Sequence, residues 1–434
     1  MIEEPRFHNP PPPDLNAPAA AIKGWQTRAL LVAGVFGLIG IVLAFLPTGG
    51  FDHFMRAWLM GFMLCFGFSV GGLALLCVQY VSGGKWGLII RRPLEAMTRT
   101  LPLVFLFFIP VAIFVKRLYL WAAVSNVSQA LQSGWISATE AHAIAYKRPM
   151  LNIPGFWIRG IIYFLIWGIF AYLLNKWSLQ RDAQVGDYRT AEHHNTPFWR
   201  VKFENLAGAG IVIYSITMTG GAIDWVMSLD VTWYSSIFGL LFLVGQGYMV
   251  FALAILTVIN LSKYEPVKSL LRVTEQHDMG KLTFAFVMLN IYLAFSQFLI
   301  IWSGNLPEEI PWYLDRIRGH WGVIITLDFI FHWMIPFTLL LSRDLKRDKR
   351  RLAAVCRWMI FARAWDMFWL IEPSYHDARR NLHFSAGILE YAFVPTAMIA
   401  IWVWYYFNEM KKRPIIAVND QHFEEILEPE HAHA

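Results

Sequence analysis

Apolar residues arrive in ten blocks of roughly membrane-spanning length, and polar residues fall in the runs between them. A helix rising about 1.5 Å per residue needs about twenty such residues to cross ~30 Å of hydrocarbon. The blocks predict spans at 30–46, 57–80, 101–121, 156–176, 206–228, 236–261, 279–302, 318–341, 352–371 and 384–407. The pattern therefore predicts an all-α integral membrane protein of about ten transmembrane helices. A tail over 1–29 and another over 409–434 flank a membrane domain over 30–408. Pro110 and Pro336 fall within spans and predict kinks. Gly61, Gly67 and the pairs 71–72 and 220–221 predict close helix packing. The connection around 124–154 carries two amphipathic stretches, 125–132 and 139–145, suited to covering a neighbouring element.

Composition agrees with this pattern and excludes a soluble fold. The chain is 56% hydrophobic and only 16% charged, with a mean hydropathy of +0.43, against about 25% charged residues in ordinary soluble domains. A net charge of +6 could suggest nucleic acid, but the basic residues sit between spans rather than on one face. Most of the 37 Lys and Arg fall on the side of the amino terminus, including the run from Arg343 to Arg351. The positive-inside rule makes that side cytoplasmic, so both tails are expected inside. The first 29 residues, with Pro10 to Pro13 and early acids, predict no cleaved leader, so the first span is expected to remain as an anchor. Twenty Trp, among them Trp25, Trp121, Trp157, Trp302, Trp312 and Trp321, fall largely near span ends and read as interfacial anchors. The acidic stretch 424–430 is expected to be a flexible end.

Ionisable side chains within spans are costly and so mark candidate chemistry. Span eight offers His320, Asp328 and His332 on one helical face, with the first at its outer rim. Span nine carries Arg363 and Asp366, three apart and able to form an ion pair, and ends at Glu372. Glu390 lies on span ten, and Asp224 and Asp230 lie at the outer end of span five. Such a graded line of acids, histidines and one arginine suits proton transfer through a helix bundle. The amides Gln246, Asn260, Asn290 and Gln297 are weaker candidates that read first as interhelical hydrogen bonds. Cys65, Cys77 and Cys356 lie in apolar blocks without iron–sulfur or c-type haem spacing. Facing deep histidines for a b-type haem are not evident either, since only His332 is deep. No haem, iron–sulfur cluster or other metal is expected on this chain.

Three stretches carry more than general membrane logic: 222–239 (AIDWVMSLD running to WYSSIFG), 297–316 (QFLIIWSGNLPEEIPWYLDR) and 366–375 (DMFWLIEPSY). Together they resemble the second quinone-binding-type membrane subunit of bacterial alternative complex III, in the polysulfide-reductase membrane-subunit superfamily. Val231 and Thr232 depart from the family, which often has Pro and a polar residue there. The resemblance implies two four-helix bundles plus two further helices in a bacterial inner membrane. It implies quinol as ligand. The implied partners are a homologous quinone-binding membrane subunit, a periplasmic iron–sulfur subunit, c-type cytochrome subunits, a terminal cytochrome oxidase and lipids, with no nucleic acid.

The expected function is thus a non-redox membrane subunit of a quinol:cytochrome c oxidoreductase. It would face quinol, carry protons, or do both, while partners carry electrons. A proton-coupled secondary transporter is the alternative, with paired broken helices in two halves as its signature. A structural anchor with a degenerate quinol site is a third reading.

Overall fold

The computed structural model describes residues 16–46, 50–183, 197–378, 386–417 and 420. Among them all regular structure is helical. Helix α1 (Ala19–Ala44) begins well before the first predicted span, and α2 (Gly50–Ser82) follows. Next come α3 (Lys85–Thr98) and α4 (Leu101–Ile113), bent by 41° at their junction. Pro102 explains the break, because it cannot donate to Thr98 and its ring crowds that carbonyl. The kink therefore falls before Pro102 rather than at Pro110, which lies inside α4.

Short turns lead from α4 into the connecting segment, where Val127–Gln132 and α5 (Ala138–Lys147) form at the two amphipathic stretches. A reciprocal cap fixes the start of α5: Ser137 Oγ accepts from the Glu140 backbone N–H, and the Ser137 N–H donates to Glu140. The long helices α6 (Ile153–Asp182), α7 (Pro197–Trp225), α8 (Phe238–Leu261) and α9 (Val273–Gly304) follow. Asn305, left-handed at φ 47°, ends α9. After α10 (Ile310–Ile317), span eight is built in three pieces: α11 (His320–Asp328), a π-helical turn (Phe329–Met334) and α12 (Ile335–Leu341). Helix α13 (Lys349–Ile371), capped by Asp348 accepting from the Arg351 N–H at 2.8 Å, and α14 (Glu390–Met410) are the last long helices among the described residues.

Among the described residues, eight helical stretches are long and apolar enough to cross a membrane, or nine if the bent α3–α4 pair is one span. Helix α13 has the length but carries Arg357, Arg363 and Asp366 along it. The most apolar window of α2 is 89% buried and that of α8 is 83%, against 11% in α1 and 17% in α9. Helices α2 and α8 are therefore the spine, and the outer helices present their apolar sides to lipid. The acidic stretch 424–430 lies outside the described residues.

Small residues let the spine close, as expected of glycines in membrane helices. A Cβ on Gly71 of α2 would stand 2.9 Å from both Gln246 Cβ and Val250 Cγ2 of α8. Beside this contact, Trp225 of α7 packs among Phe62, Phe66, Phe108, Phe164 and Trp167, joining α2, α4, α6 and α7. Three of the tryptophans expected at the interface belong instead to the interior: Trp121, Trp312 and Trp321 are buried, whereas Trp302 is exposed.

Gly71→Leu should force α2 and α8 apart and cost about 1–3 kcal/mol. The check is a lower thermal midpoint of the protein in detergent; an unchanged midpoint would contradict the close contact.

Candidate functional site

Span eight departs from a regular α-helix where its candidate histidine lies, and Pro336 gives the reason. Proline has no N–H to donate four or five residues back, so one of the His332 and Phe331 carbonyls loses a backbone donor. The Ile335 N–H bonds the Ile330 carbonyl in the wider π pattern. Two side chains reach these carbonyls from neighbouring helices. Tyr248 of α8 donates its hydroxyl to the His332 carbonyl at 3.2 Å, and Trp358 of α13 donates its Nε1–H to the Phe331 carbonyl at 3.0 Å. The Tyr248 ring also meets the His332 imidazole edge to face at 4.7 Å. This turn thereby fixes where His332 stands.

A cavity of about 350 Å³ opens beside that turn, between α8, α9, α10, span eight and α13. Phe238, Phe242, Phe298, Trp312, Trp333 and Trp369 supply much of its wall, while Asp328, His332, Arg363 and Asp366 supply its charged lining. Arg363 and Asp366 form the intrahelical ion pair that their spacing predicts. His332 Nδ1 lies 4.0 Å from Asp366 Oδ1. Gly245 of α8 leaves room for the guanidinium, since a Cβ there would stand 2.7 Å from Arg363 Cζ. Asp328 Oδ1 and His332 Nε2 are buried without a hydrogen-bond partner among the described residues.

Asp328, His332 and Asp366 hold ligand atoms within 4.8 Å of one another, close enough to be tested as a metal site. Arg363 already supplies a cation to Asp366, so a divalent ion would sit against a guanidinium. A histidine and two carboxylates are ordinary metal ligands, so it is the neighbouring guanidinium that opposes a divalent ion here and favours hydrogen bonding and proton exchange.

The three motif stretches converge on one end of this cavity. Trp233 stacks on Trp312 at 4.3 Å, and Trp312 meets the edge of Trp369 at 5.7 Å. Arg316 lies over the Trp312 ring at 3.9 Å and donates to Ser374 Oγ at 2.7 Å, while Trp369 Nε1–H donates to the Arg316 carbonyl at 3.2 Å. Gln297 accepts from Ser235 Oγ at 2.9 Å and donates to the Tyr313 hydroxyl at 3.1 Å. Helix α10 is thus a lid held from three directions. The cavity also reaches the outside of the bundle, where its lining residues Phe295 and Phe329 are 58% and 46% exposed.

The remaining sequence candidates lie elsewhere. His320 is exposed at the first residue of α11 and does not line the cavity. Asp224 accepts a bidentate pair from Arg159 at 2.7 and 2.8 Å and a hydrogen bond from Tyr163 at 3.1 Å, tying α7 to α6. Asp230 shapes the following loop by accepting from the Thr232 N–H and hydroxyl at 3.1 and 2.7 Å. Glu372 joins α2, α13 and α14, with Arg56 at 3.2 Å, His53 at 3.8 Å and the Tyr391 hydroxyl as partners. Asp377 binds the same arginine at 2.9 Å. Burial alone would push the Asp377 carboxyl up, but its hydrogen bond to Arg56 and that guanidinium's charge hold it below the usual carboxylate range. Glu390 is fully buried at the start of α14, and neither carboxylate oxygen has a hydrogen-bond partner among the described residues.

Sequence reasoning passed over Tyr248, Arg56 and Arg159. Tyrosine carries no charge to draw attention, and both arginines lie near predicted span ends, where they read as loop residues. Of the amides, Gln297 and Asn290 line the cavity, whereas Gln246 accepts from Tyr214 at 2.6 Å inside the bundle.

No protein-family model matches the chain, and no curated protein matches it in sequence. Fold and site define its class by themselves: a multi-pass helical membrane protein with a charged, aromatic-walled cavity between its helices.

Tyr248→Phe should remove the hydroxyl donor to the His332 carbonyl and cost about 1 kcal/mol. In a Pro336→Ala background the backbone can serve that carbonyl, so the same change should cost less. A double-mutant cycle of thermal unfolding checks this, and additive effects would contradict the coupling.

Proposed function

We propose that this chain is the membrane subunit of a quinol:electron-acceptor oxidoreductase, of the kind its three motif stretches resemble, and that its cavity receives the quinol ring. The observation that carries the reading is an aromatic cavity, open at its side, with two polar atoms in its lining that have no hydrogen-bond partner among the described residues, Asp328 Oδ1 and His332 Nε2. Aromatic walls suit the ring faces. The two polar atoms suit its hydroxyls, and the opening beside Phe295 and Phe329 suits a ligand that travels within the bilayer.

Oxidising a quinol to a quinone breaks two O–H bonds and releases two protons and two electrons. Asp328 and His332 are the groups we assign to accept the protons, and Arg363 with Asp366 to hold the local charge in balance. The electrons pass to partners of the classes the resemblance implies, namely a periplasmic iron–sulfur subunit and c-type cytochromes, beside a homologous membrane subunit and a terminal oxidase. Ten spans in a bacterial inner membrane complete the proposal, counting α3–α4 and α13 as one each. The packing supports two four-helix bundles, one of α2, α4, α6 and α7 around Trp225, the other of α8, α9, span eight and α13 around the cavity. Helices α1 and α14 pair outside them.

We place the basic end of the bundle, with Arg91, Arg99, Arg181 and Arg413, in the cytoplasm, together with both termini. The aromatic lid then faces the outer side, where released protons would leave. A transporter would set its site between paired broken helices of two halves. Among the described residues one pair is bent in that way, α3–α4, and it contributes nothing to the cavity.

Asp328→Asn and His332→Gln should each lower quinol oxidation by the assembled complex about a hundredfold, with subunit content unchanged. Turnover at the parental level in both variants would overturn the quinol site and leave the anchor reading.

A further inference from the structure

A second concavity, of about 830 Å³, lies on the opposite half of the molecule between α4, α6 and the end of α14. It is polarised along its length. Toward mid-span its wall is apolar, formed by Phe105, Ile161, Phe164 and Leu165. Ile161 and Leu165 are 40% and 59% exposed, so this part faces the lipid side of the bundle. Gly168 keeps the wall low, since a Cβ there would meet nothing within 4 Å.

At the other end three helices bring cations together: Arg99 before α4, Lys176 on α6, and Lys412 and Arg413 after α14. Arg99 and Arg413 each donate to the same oxygen, Asn175 Oδ1, at 2.8 Å. Two guanidiniums meeting at one neutral amide repel each other unless anions offset them. Glu409 serves Arg99 at 3.3 Å and also pairs with Lys412. Glu95 lies 3.5 Å from Arg413 but is already bonded to Arg92 at 2.7 Å. Among the described residues, four cations therefore face one carboxylate in the groove lining itself, Glu409. The excess is positive, and it sits where an apolar groove reaches the end of the bundle.

We infer that this groove is a binding site for an anionic diacyl phospholipid, its phosphate held by Arg99, Lys176, Lys412 and Arg413 and its acyl chains laid along α4 and α6. The charge excess selects an anionic headgroup, and the exposed apolar wall continues into the bilayer as acyl chains require. This site shares no lining residue with the quinol cavity and does not depend on that reading.

The test is native mass spectrometry and lipid analysis of the full chain, purified in mild detergent with whatever subunits accompany it and re-equilibrated with phosphatidylglycerol or phosphatidylcholine. Parental protein should retain phosphatidylglycerol and not phosphatidylcholine. Lys176→Gln and Lys412→Gln should each weaken that retention about fivefold. Arg99 and Arg413 also brace the helices, so a second kind of variant, Gly168→Phe, fills the groove without touching a charge. It should abolish retention while the thermal midpoint stays at the parental value. Equal retention of both lipids, no retained phospholipid in the parental protein, or parental retention in all three variants would overturn the site.

Discussion

A polar group surrounded by hydrocarbon must find a partner or cost several kcal/mol, and the arrangement of this protein follows from how that requirement is met. Pro336 withholds a backbone donor at the Phe331 and His332 carbonyls, and Trp358 and Tyr248 reach across to them from two neighbouring helices. That obligation locks α8, span eight and α13 into one register. Asp224 with Arg159, and Glu372 with Arg56, do the same for other helices. At the opposite end Arg91 takes Gln79 and Asp420, while Arg92 takes Glu95 and Asp182. Apolar packing alone lets membrane helices slide and rotate at little cost, because lipid is as good a neighbour as leucine. Polar pairing supplies the specificity that it lacks.

The contrast between satisfied and unsatisfied groups then separates architecture from chemistry. Asp224 has three donors within 3.1 Å and Glu372 has an arginine and a tyrosine, so neither has reason to exchange a proton with a ligand. Asp328 and His332 each keep an atom without a hydrogen-bond partner among the described residues, beside a cavity. Groups of equal prominence in a hydropathy plot thus divide by their partners.

What the sequence made legible was whatever depends on local spacing. Apolar blocks announced the long helices, since each must match the same hydrocarbon thickness. The separation of Asp328 and His332 by four, and of Arg363 and Asp366 by three, placed each pair on one helical face. Pairing between distant helices was illegible. Arg56 and Arg159 stood near span ends and counted as loop charges, although each seals a carboxylate on another helix. The segment that forms α3 looked like a polar loop because Arg91, Arg92 and Glu95 are charged, yet all three are buried. Trp312 had the position of an interfacial anchor and became the keystone of a lid, because Trp233 stacks on its face. The π turn left only Pro336 as a trace. Nothing local to residues 329–334 says that a tyrosine some eighty positions earlier will serve the carbonyl that proline abandons.

The lateral mouth beside Phe295 and Phe329 has a consequence for affinity. A molecule that reaches the cavity through it leaves one oily medium for another and strips off little water on the way. Apolar contact therefore contributes less net attraction than it would for a ligand arriving from solution. Discrimination falls to the few polar atoms inside, while occupancy is set by how much of the molecule the bilayer holds. A site of this kind can bind weakly and still be filled, and it can let its occupant go as readily as it took it in.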